Sequence, residues 1–396
     1  MISREDALRS IATAAWQLPT ISIPLEHAHG RVLADTVFSD VDMPPFPKSS
    51  MDGYACRTTD AFNTLRVLEH IPAGRVPSHP ITPGTCSKIM TGAPVPEGAD
   101  CILIVEEVEV LDEKTIRFTG DSPKSNICPQ GEDIQTGDAV LQAGLRLDAA
   151  HLPVLASVGC THPTVYAQPR VTVFATGDEL VPWDTQPPPG KIRNSNSIQL
   201  THLAQRAGAV ATDRGIAPDQ RAAMIERWER ALECDDVIIS TGGVSMGDYD
   251  LVPEILQHHG FDIHFDRVAI QPGKPVLFGT RGTKACFGLS GNPVSSYLQF
   301  LLFVTPFLLH LQGHDSRAPG LPVTLGQDFT RKNGAREGWI PVALNAKLQA
   351  VPITFHGSAH IHAFTAADGL IAFPVGITQL HAGDSVFLRL LNGSNT

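Results

Sequence analysis

The sequence predicts a multidomain protein of the α/β plus β class, in which a three-layer α/β domain is joined to β-rich domains. The chain has 396 residues, which favours two to four folding units of ~150 residues each. From residue 170 to about 311, strand-like and helix-like segments alternate, as in a largely parallel sheet covered on both faces. On either side, short apolar runs are separated by Gly, Pro and Asn, which is typical of β domains.

The N-terminal half predicts a connector interrupted by an inserted domain. Ser3 and Asp6 stand at capping-box spacing, which indicates an amphipathic helix over Ser3–Gln17. Residues 44–137 are expected to form a β-rich inserted domain, and the segments on either side of it to pack together as a stalk. The predicted connector comprises residues 1–43 and 138–169.

The α/β domain is expected over residues 170–318 and a C-terminal β-barrel-like domain, with its last strand at Ser385–Leu390, over 319–396. Asn292 and Pro293 have the pattern of a cap and a first turn, and they predict a helix with a wide apolar face as far as Leu309. The other elements predicted in the α/β domain are strands at Val171–Ala175, Val210, Val237–Ser240, Ile263–Ile270, Val276–Gly279 and Ala285–Leu289, and helices at Ser195–Arg206, Asp219–Glu233 and up to His259.

Composition excludes several classes of protein. Lys and Arg total 30 against 41 Asp and Glu, a net charge of −11, which argues against a nucleic-acid groove. The N-terminus has no signal-peptide pattern, and the longest apolar stretch, Leu298–Leu311, is too short to span a bilayer. The seven cysteines form no CxxC pair, which favours the reducing cytoplasm.

The strongest candidate for an anion site is the sequence TGGVSMGDYD at 241–250, which follows a strand and precedes a helix. Glycines allow backbone N–H groups to approach a phosphate, and the helix N-terminus favours negative charge. Asp248 and Asp250 are hard oxygen ligands of the kind that Mg²⁺ takes beside phosphate. The alternative is a glycine turn followed by ordinary helix-terminal acids.

Two further loops carry polar groups at strand ends of the same predicted sheet. TGDEL at 176–180 and NSN at 194–196 would converge on one crevice in a doubly wound sheet, or else they are two ordinary caps. Pro272 and Pro275 flank a glycine turn that presents Lys274, either as a point charge for an oxyanion or as a solvated lysine. The SGNP sequence at 290–293 is explained by helix capping alone.

The inserted domain and the C-terminal domain contain less decisive patterns. The loops at 50–55, 90–100 and 131–133 hold carboxylates suited to metal binding or proton transfer, although turn formation explains each of them singly. His356, His360 and His362 lack the helical spacing that makes a histidine pair a strong zinc signal. We therefore interpret them as loop histidines.

Eight motifs taken together resemble one family. They are SMDGYA (50–55), MTGAPVPEGAD (90–100), GED (131–133), TGDEL (176–180), NSN (194–196), TGGVSMGDYD (241–250), PGKP (272–275) and SGNPVS (290–295). In this order, they resemble the molybdopterin molybdenumtransferase (MoeA) family, which includes the gephyrin E domain. The similarity runs from about Ser3 to Leu390. It implies a MogA-like molybdopterin-binding α/β domain and an elongated homodimer, in which the inserted domain of one subunit faces the α/β domain of the other.

The resemblance also implies an activity and its partners. Molybdate would be inserted into adenylylated molybdopterin, with Mg²⁺-dependent cleavage of the pyrophosphate link and release of AMP. An upstream molybdopterin adenylyltransferase and recipient molybdoenzymes would be the protein partners. The implied catalytic residues are Asp52, Thr91, Asp133 and Glu179, and the implied metal ligands are Glu179, Asp219, Asp248 and Asp250. The implied contacts to pterin, phosphate or molybdate are Asn196, Gly242, Gly243, Ser245, Gly247, Lys274, Pro275, Arg336 and Ser358.

The chain departs from the family pattern around the implied molybdate pocket. Gln271 stands where the family usually has a lysine, and Trp339 begins the segment where a second arginine is usual. His360 and His362 stand where small or hydroxylated residues are common. Two alternatives to the transferase remain: a molybdopterin adenylyltransferase, and a catalytically weakened paralogue that carries molybdopterin or acts as a scaffold. Molybdate-dependent release of AMP separates all three.

Overall fold

The computed structural model describes residues 1–217, 221–243, 251–315, 320–354, 357 and 359–391. Helix α1 spans Arg4–Ala14, and the Ser3 hydroxyl caps it by accepting from the backbone N–H of Asp6 at 3.0 Å. The helix ends at Ala14 rather than at the expected Gln17. The backbone is extended at Ala15, with φ −74° and ψ 149°, and the following Trp16 packs edge-on against Phe307, with ring centroids 5.6 Å apart.

The inserted segment is built on a mixed sheet. Two connector strands precede it, β1 (Thr20–Ser22) and β2 (Val37–Phe38). Its own strands are β3 (Lys48–Ser49), β4 (Gly53–Cys56), β5 (Thr64–Ile71), β6 (Thr85–Ile89), β7 (Cys101–Ile104), β8 (Val108–Asp112), β9 (Thr115–Phe118) and β10 (Ile127–Cys128). The sheet order is β7-β4-β6-β5-β9-β8, and β3 pairs with β10. Pairing within the sheet is antiparallel except between β5 and β6.

The two connector segments pack on each other. The second segment contributes β11 (Ala139–Leu141), α2 (Leu152–Ser157) and β12 (Thr164–Tyr166). β11 pairs with β2 and β12 pairs with β1, both antiparallel. Leu33 and Leu155 lie in the apolar core that these segments share. The inserted sheet is therefore held at both of its chain connections by one small structural unit.

The α/β domain is organised around a central sheet of order β16-β13-β17-β21-β20-β18. Its elements are β13 (Arg170–Thr176), β14 (Leu180–Val181), β15 (Ile192–Arg193), α3 (Asn196–Arg206), β16 (Val210–Ala217), α4 (Arg221–Cys234), β17 (Val237–Thr241), α5 (Leu251–His258), β18 (Asp262–Arg267), β19 (Ile270–Gln271), β20 (Pro275–Arg281) and β21 (Lys284–Leu289). β16, β13, β17 and β21 run parallel, whereas β20 is antiparallel to both of its neighbours. One apolar cluster includes residues of α3, and another includes residues of α4 and α5.

One expected strand is divided in the structure. The sequence predicts a strand over Ile263–Ile270, but β18 ends at Arg267 and β19 joins the C-terminal sheet, with Ile270 opposite Glu337. The N–H of Ile270 donates to the carbonyl of Val268 at 2.9 Å, which forms a tight turn and redirects the chain. This crossing joins the α/β domain to the C-terminal domain.

The last helix of the α/β domain is continuous over Pro293–Leu311 but is not uniformly α-helical. It consists of α6 (Pro293–Gln299), a π-helical segment (Phe300–Val304) and α7 (Thr305–Leu311). Pro306 lacks the N–H that an α-helical bond would require, which accounts for the irregular ladder before it. Among the described residues this is one helix that is long and apolar enough to span a membrane, yet 83% of its apolar window is buried. That burial is typical of a core helix.

The C-terminal sheet curls into a barrel-like form. Its strands are β22 (Leu321–Thr324), β23 (Phe329–Thr330), β24 (Glu337–Leu344), β25 (Ala350–Pro352), β26 (Gly369–Phe373), β27 (Gln379–Leu380) and β28 (Ser385–Leu390). The order is β19-β24-β26-β28-β22, with β25 also pairing with β24. A bridge between Leu325 and Ala350 brings the end of β22 next to β25, so that the first and last parts of the sheet meet as in a barrel.

Candidate functional site

Three neighbouring parallel strands end at the same edge of the α/β sheet. The register aligns Ala175 of β13 with Thr241 of β17, and Thr241 with Leu289 of β21. The loops that follow these strands carry the TGDEL, TGG and SGNP sequences. The carboxyl ends of parallel strands are the usual position of ligand sites in such sheets.

These loops enclose a cleft of about 620 Å³. The structure brings together several of the residues implied by the resemblance, namely Glu179, Asn196, Gly242, Gly243 and Pro275. The other lining residues are Leu180, Ile192, Arg193, Asn194, Ser195, Ser290, Gly291, Asn292, Pro293, Ala359 and Ile361. Seven of the described lining residues have polar or charged side chains and three are glycines, so the cleft offers hydrogen-bonding groups to a polar or anionic ligand.

The glycine turn after β17 has a conformation that requires glycine. Gly242 has φ +89°, and a Cβ atom there would lie 2.4 Å from the carbonyl oxygen of Thr176. Its N–H donates to the carbonyl of Leu289 at 3.0 Å. The resemblance implies a phosphate contact at Gly242, but this N–H already makes a structural bond. Among the described residues, no acceptor is within hydrogen-bond distance of the Gly243 N–H, so this amide is available to an anion.

Asn196 links the NSN sequence to the TGG and SGNP loops. Its side-chain Nδ2 donates to Thr241 Oγ1 at 2.9 Å and to the carbonyl oxygen of Gly291 at 2.8 Å. Thr241 in turn donates to the carbonyl oxygen of Ser290 at 2.9 Å. Asn196 is 8% exposed, and its Oδ1 is a buried atom without a hydrogen-bond partner in the described part of the chain. This network holds the NSN, TGG and SGNP sequences in fixed relative positions.

Gln299 is a structural residue of the site that sequence reasoning missed. It is fully buried, and its Nε2 donates to the carbonyls of Gly273 and Pro275 at 2.8 and 2.6 Å. Its Oε1 accepts from the N–H of Ser290 at 2.8 Å. The amide thus joins the PGKP turn to the SGNP turn. The available signal was a long polar side chain directly before the apolar run Phe300–Val304 of the same helix.

Arg193 is a second lining residue that the sequence analysis did not single out. Its Nε donates to the carbonyl oxygen of Thr185 at 3.0 Å, which ties the side chain to the preceding loop. It directly precedes the NSN sequence, and its positive charge beside that motif is the feature by which the sequence could have indicated a role in the site. A guanidinium beside the cleft provides positive charge for an anionic ligand in a chain whose net charge is −11.

Glu179 is the acidic residue that the described structure places in the cleft lining. It is exposed, and its carboxylate lies over Gly177, where a Cβ atom would be 2.4 Å from Oε2. Within the described ranges, no group of three or more His, Cys, Asp or Glu side chains could hold a metal ion. The implied residues Asp219, Ser245, Gly247, Asp248, Asp250 and Ser358, and also His356, lie outside the described residues.

The residues implied for molybdate lie at the junction with the C-terminal domain. Gln271 is exposed and pairs with Gly338 where β19 meets β24. Arg336 donates through Nη1 to the carbonyl oxygen of Ile270 at 3.0 Å. Lys274 is exposed on the turn that follows β19. The structure therefore places Arg336 directly beside the strand that carries Gln271, although neither Arg336 nor Lys274 is among the described residues that line the cleft.

The implied residues of the inserted domain lie outside the described lining of the cleft. Asp52 Oδ1 accepts from the N–H and from the hydroxyl of Thr91, both at 2.7 Å. These bonds, above all the one from the backbone N–H, lower the pKa of Asp52. Asp133 is exposed, and its N–H donates to the carbonyl of Met43 at 3.0 Å. Asp52 and Thr91 form one local unit in which the carboxyl is ionised at neutral pH.

Comparison with known proteins extends over nearly the whole chain. Residues 2–159 match the model of the MoeA N-terminal region, described as domains I and II. Residues 172–310 match a model described as a probable molybdopterin binding domain, and residues 322–391 match the MoeA C-terminal region, described as domain IV. The cleft residues from Glu179 to Pro293 fall within the second match.

Curated relatives and solved structures agree with these matches. The chain is 34% identical to a molybdopterin molybdenumtransferase of Staphylococcus epidermidis, with 100% of this chain and 96% of the relative aligned. It is 33% identical to the protein of that name from Staphylococcus aureus, over 98% and 94% of the two chains. A crystal structure of a molybdopterin biosynthesis MoeA protein from Pyrococcus horikoshii superimposes with a TM-score of 0.85 at 28% identity, covering 98% of this chain and 100% of that one. The chain therefore belongs to the MoeA family.

Proposed function

We propose that this protein is a molybdopterin molybdenumtransferase of molybdenum cofactor biosynthesis, which inserts molybdate into adenylylated molybdopterin and releases AMP. The observation that carries the proposal is the polar cleft at the strand ends of β13, β17 and β21. It combines a glycine turn, an ordered amide network and a carboxylate. The names of the relatives over the full length of the chain support the same activity.

The cleft residues suggest how the anionic substrate is held. The Gly243 N–H faces no described acceptor and can donate to a phosphate oxygen, while Arg193 supplies positive charge at the rim. In cleavage of the pyrophosphate link, an oxygen of water or molybdate forms a new P–O bond to one phosphorus, the bond from that phosphorus to the bridging oxygen breaks, and negative charge develops on the bridging oxygen as AMP and the molybdopterin phosphate separate. Groups already positioned toward that charge favour the step because they need no reorganisation.

The donor set fits Mg²⁺, which is usually held by one or two carboxylates together with substrate phosphates. Glu179 offers an exposed carboxylate in the cleft, and the sequence adds Asp219, Asp248 and Asp250 as further candidate ligands. When bound, the ion would neutralise phosphate charge. The role of the protein is to bring the carboxylate and the glycine turn to the same edge of the sheet.

The inserted domain would complete the site across a homodimer. Asp52, Thr91 and Asp133 do not line the described cleft, so a second subunit is the proposed source of these groups. Mixed dimers of Asp52→Asn and Glu179→Gln chains should then regain part of the activity that each variant lacks, because one of the two sites carries both native residues. Absence of any recovery, in mixtures shown to exchange subunits, would exclude sites shared between subunits.

The function is tested by incubating the full chain with adenylylated molybdopterin, Mg²⁺ and molybdate, and measuring AMP. Release that depends on molybdate is the expected result. Adenylylation of molybdopterin from ATP, with release of pyrophosphate, would favour the adenylyltransferase alternative, and AMP formation without molybdate dependence would contradict the insertion of molybdate. Binding of molybdopterin without turnover would favour the carrier or scaffold. We further propose that the protein acts in the cytoplasm, where all seven of its cysteines, free in the structure, would stay reduced.

Replacing Arg336 by Ala should raise the molybdate concentration for half-maximal AMP release about tenfold or more. A charge-assisted hydrogen bond to an oxyanion is worth ~1.5–3 kcal/mol, and the guanidinium lies beside the strand that carries Gln271. The melting temperature should change little, since Arg336 is only half-buried. Lys332→Ala, which removes an exposed cation from the same loop, is the matched control. An equal effect of both variants would mean that only general charge matters.

Replacing Gln271 by Lys should lower the molybdate concentration for half-maximal AMP release about tenfold, because a charged donor replaces a neutral one. The competing explanation is that protonated His360 or His362 already supplies that charge. Ala359 and Ile361 line the cleft, so the histidine-bearing loop is close to the substrate. Titrations of both proteins at about pH 6 and pH 8 separate the two accounts. If the native protein binds molybdate less tightly at the higher pH, and the lysine variant binds it no more tightly than the native protein, the result would support a histidine as the source of the charge.

A further inference from the structure

Two cysteines face each other in the sheet of the inserted domain. Cys56, the last residue of β4, lies opposite Cys101, the first residue of β7, in an antiparallel pair. Their Sγ atoms are 3.4 Å apart. Opposite residues of antiparallel strands have Cα atoms about 4.5–5.5 Å apart, a separation that a disulfide can span. The backbone therefore needs little movement for an S–S bond to form between these two side chains.

A third thiol belongs to the same apolar cluster. Cys56 and Cys86 are 0% exposed and Cys101 is 1% exposed, and all three are members of one buried cluster. Burial raises the pKa of Cys86 to about 12, so this thiol stays protonated. The hydrogen-bonding contact between sulfur atoms joins Cys56 to Cys101. The facing pair is therefore the part of the cluster that is arranged for a reaction between thiols.

The two thiols of the pair differ in acidity. The Cys56 thiol donates to the Cys101 sulfur, and this hydrogen bond lowers the pKa of Cys101. The same hydrogen bond, together with burial, raises the pKa of Cys56. Thiolates react with oxidants and protonated thiols do not. Cys101 is thus the nucleophile of the pair, and Cys56 is placed to react with its oxidised product.

Cys101 lies where a small molecule can enter. β7 is an edge strand of its sheet, Cys101 is its first residue, and the preceding Asp100 is exposed. Asp100 Oδ1 accepts from the N–H and the hydroxyl of Thr58 at 2.5 and 2.8 Å, in a contact that is itself exposed. Strand ends open locally at a small part of the free energy of global unfolding. A small oxidant can therefore reach Cys101 from this end while the sheet stays folded.

We propose that Cys101 and Cys56 are a peroxide-responsive thiol pair, which hydrogen peroxide converts into a disulfide between β7 and β4. The Cys101 thiolate attacks one peroxide oxygen, so that an S–O bond forms, the O–O bond breaks, and the leaving hydroxide takes up a proton to become water. Cys56 then attacks the Cys101 sulfur and gives its proton to the leaving hydroxyl, so that the S–S bond forms, the S–O bond breaks and a second water departs. Two thiols are oxidised and one peroxide is reduced to two waters.

The disulfide would act as a reversible staple of the inserted domain. In the absence of peroxide both cysteines are free thiols. The two residues are separated by 45 positions in the chain, and closing such a loop restricts the unfolded state. At the other end of the same strands, the N–H of Val105 donates to the carbonyl of Asp52 at 3.1 Å. The disulfide would fix the second end, so the oxidised protein should melt several degrees higher than the reduced protein.

The test treats the folded full chain with hydrogen peroxide, blocks the remaining thiols with N-ethylmaleimide and maps linked peptides by mass spectrometry. Peptides that contain Cys56 and Cys101 should be joined, and dithiothreitol should release them. Cys56→Ser keeps a donor to the Cys101 sulfur but cannot form the disulfide, so a sulfenic acid should accumulate at Cys101 and be trapped by dimedone. Cys101→Ser should give no sulfenic acid at Cys56. Cys86→Ala is the matched control and should form the disulfide as the native chain does.

Other outcomes overturn the proposal in distinct ways. A disulfide from Cys86 to either cysteine would identify a different pair, and a sulfenic acid at Cys56 in Cys101→Ser would reverse the two roles. The exposed Cys234 serves as an internal indicator that peroxide has reacted with the chain. If Cys234 is oxidised while Cys56 and Cys101 both stay reduced in the folded protein, the pair is only a packing contact. Reduced variants with native melting temperatures exclude misfolding as the cause.

Discussion

Replacing Glu179 by Gln is expected to lower the rate of AMP release about 100-fold while leaving substrate binding nearly unchanged. Glu179 is an implied catalytic residue and metal ligand, and a positioned carboxylate that transfers a proton typically contributes about 10²- to 10⁴-fold in rate. Glu179 is exposed in the cleft, so the neutral isostere disturbs no packing. Single-turnover AMP release at saturating molybdate and Mg²⁺ measures the effect.

The neighbouring Asp178 provides the control. It is exposed and carries the same charge, but it is not among the described residues of the cleft lining, and its contact with Lys191 is made through its backbone carbonyl. Asp178→Asn should therefore keep the native rate to within about twofold. An equal loss in both variants would show that the charge of the whole loop matters, and full activity of Glu179→Gln would remove this carboxylate from the reaction.

The position of the cleft was predictable because it depends on local patterns. Alternating strands and helices predict a parallel sheet, and the TGDEL and TGG sequences each follow an apolar strand, so they must reach the same sheet edge. The structure brings Glu179, Asn196, Gly242 and Gly243 together there. Ser385–Leu390, the last strand, has the bounds that its alternating pattern predicts.

The parts that escaped prediction depend on contacts between distant segments. Nothing in the sequence around Gln299 shows that its amide will bond to Gly273, Pro275 and Ser290 at once. Likewise, local apolar periodicity favours one strand up to Ile270, but the turn at Val268 transfers β19 to another sheet. Pairing with a strand so far along the chain has no local signature, because register is settled by the assembled fold.

Replacing Gly242 by Ala is expected to have the largest effect on the fold of the site. The residue has φ +89°, which costs an alanine about 1–2 kcal/mol. In addition, the new Cβ would lie 2.4 Å from the backbone oxygen of Thr176, so one of the two strand ends must move. Movement would break the Gly242–Leu289 hydrogen bond and shift the Gly243 amide. Because misplaced charge-stabilising groups cost about 100-fold or more in rate, we expect AMP release to fall by that factor and the melting temperature to drop.

Alanine substitutions at two other glycines distinguish backbone strain from the effect of an added methyl group. Gly74 has φ +82° with no described atom near its added Cβ, so Gly74→Ala measures conformational strain alone. Gly291 also lines the cleft, but its Cβ would make an ordinary contact at 3.6 Å with the Cα of Gly242. Gly291→Ala thus measures the effect of an extra methyl group beside the ligand. If Gly242→Ala lowered the melting temperature no more than Gly74→Ala, the close approach to Thr176 would not be a determinant of the site.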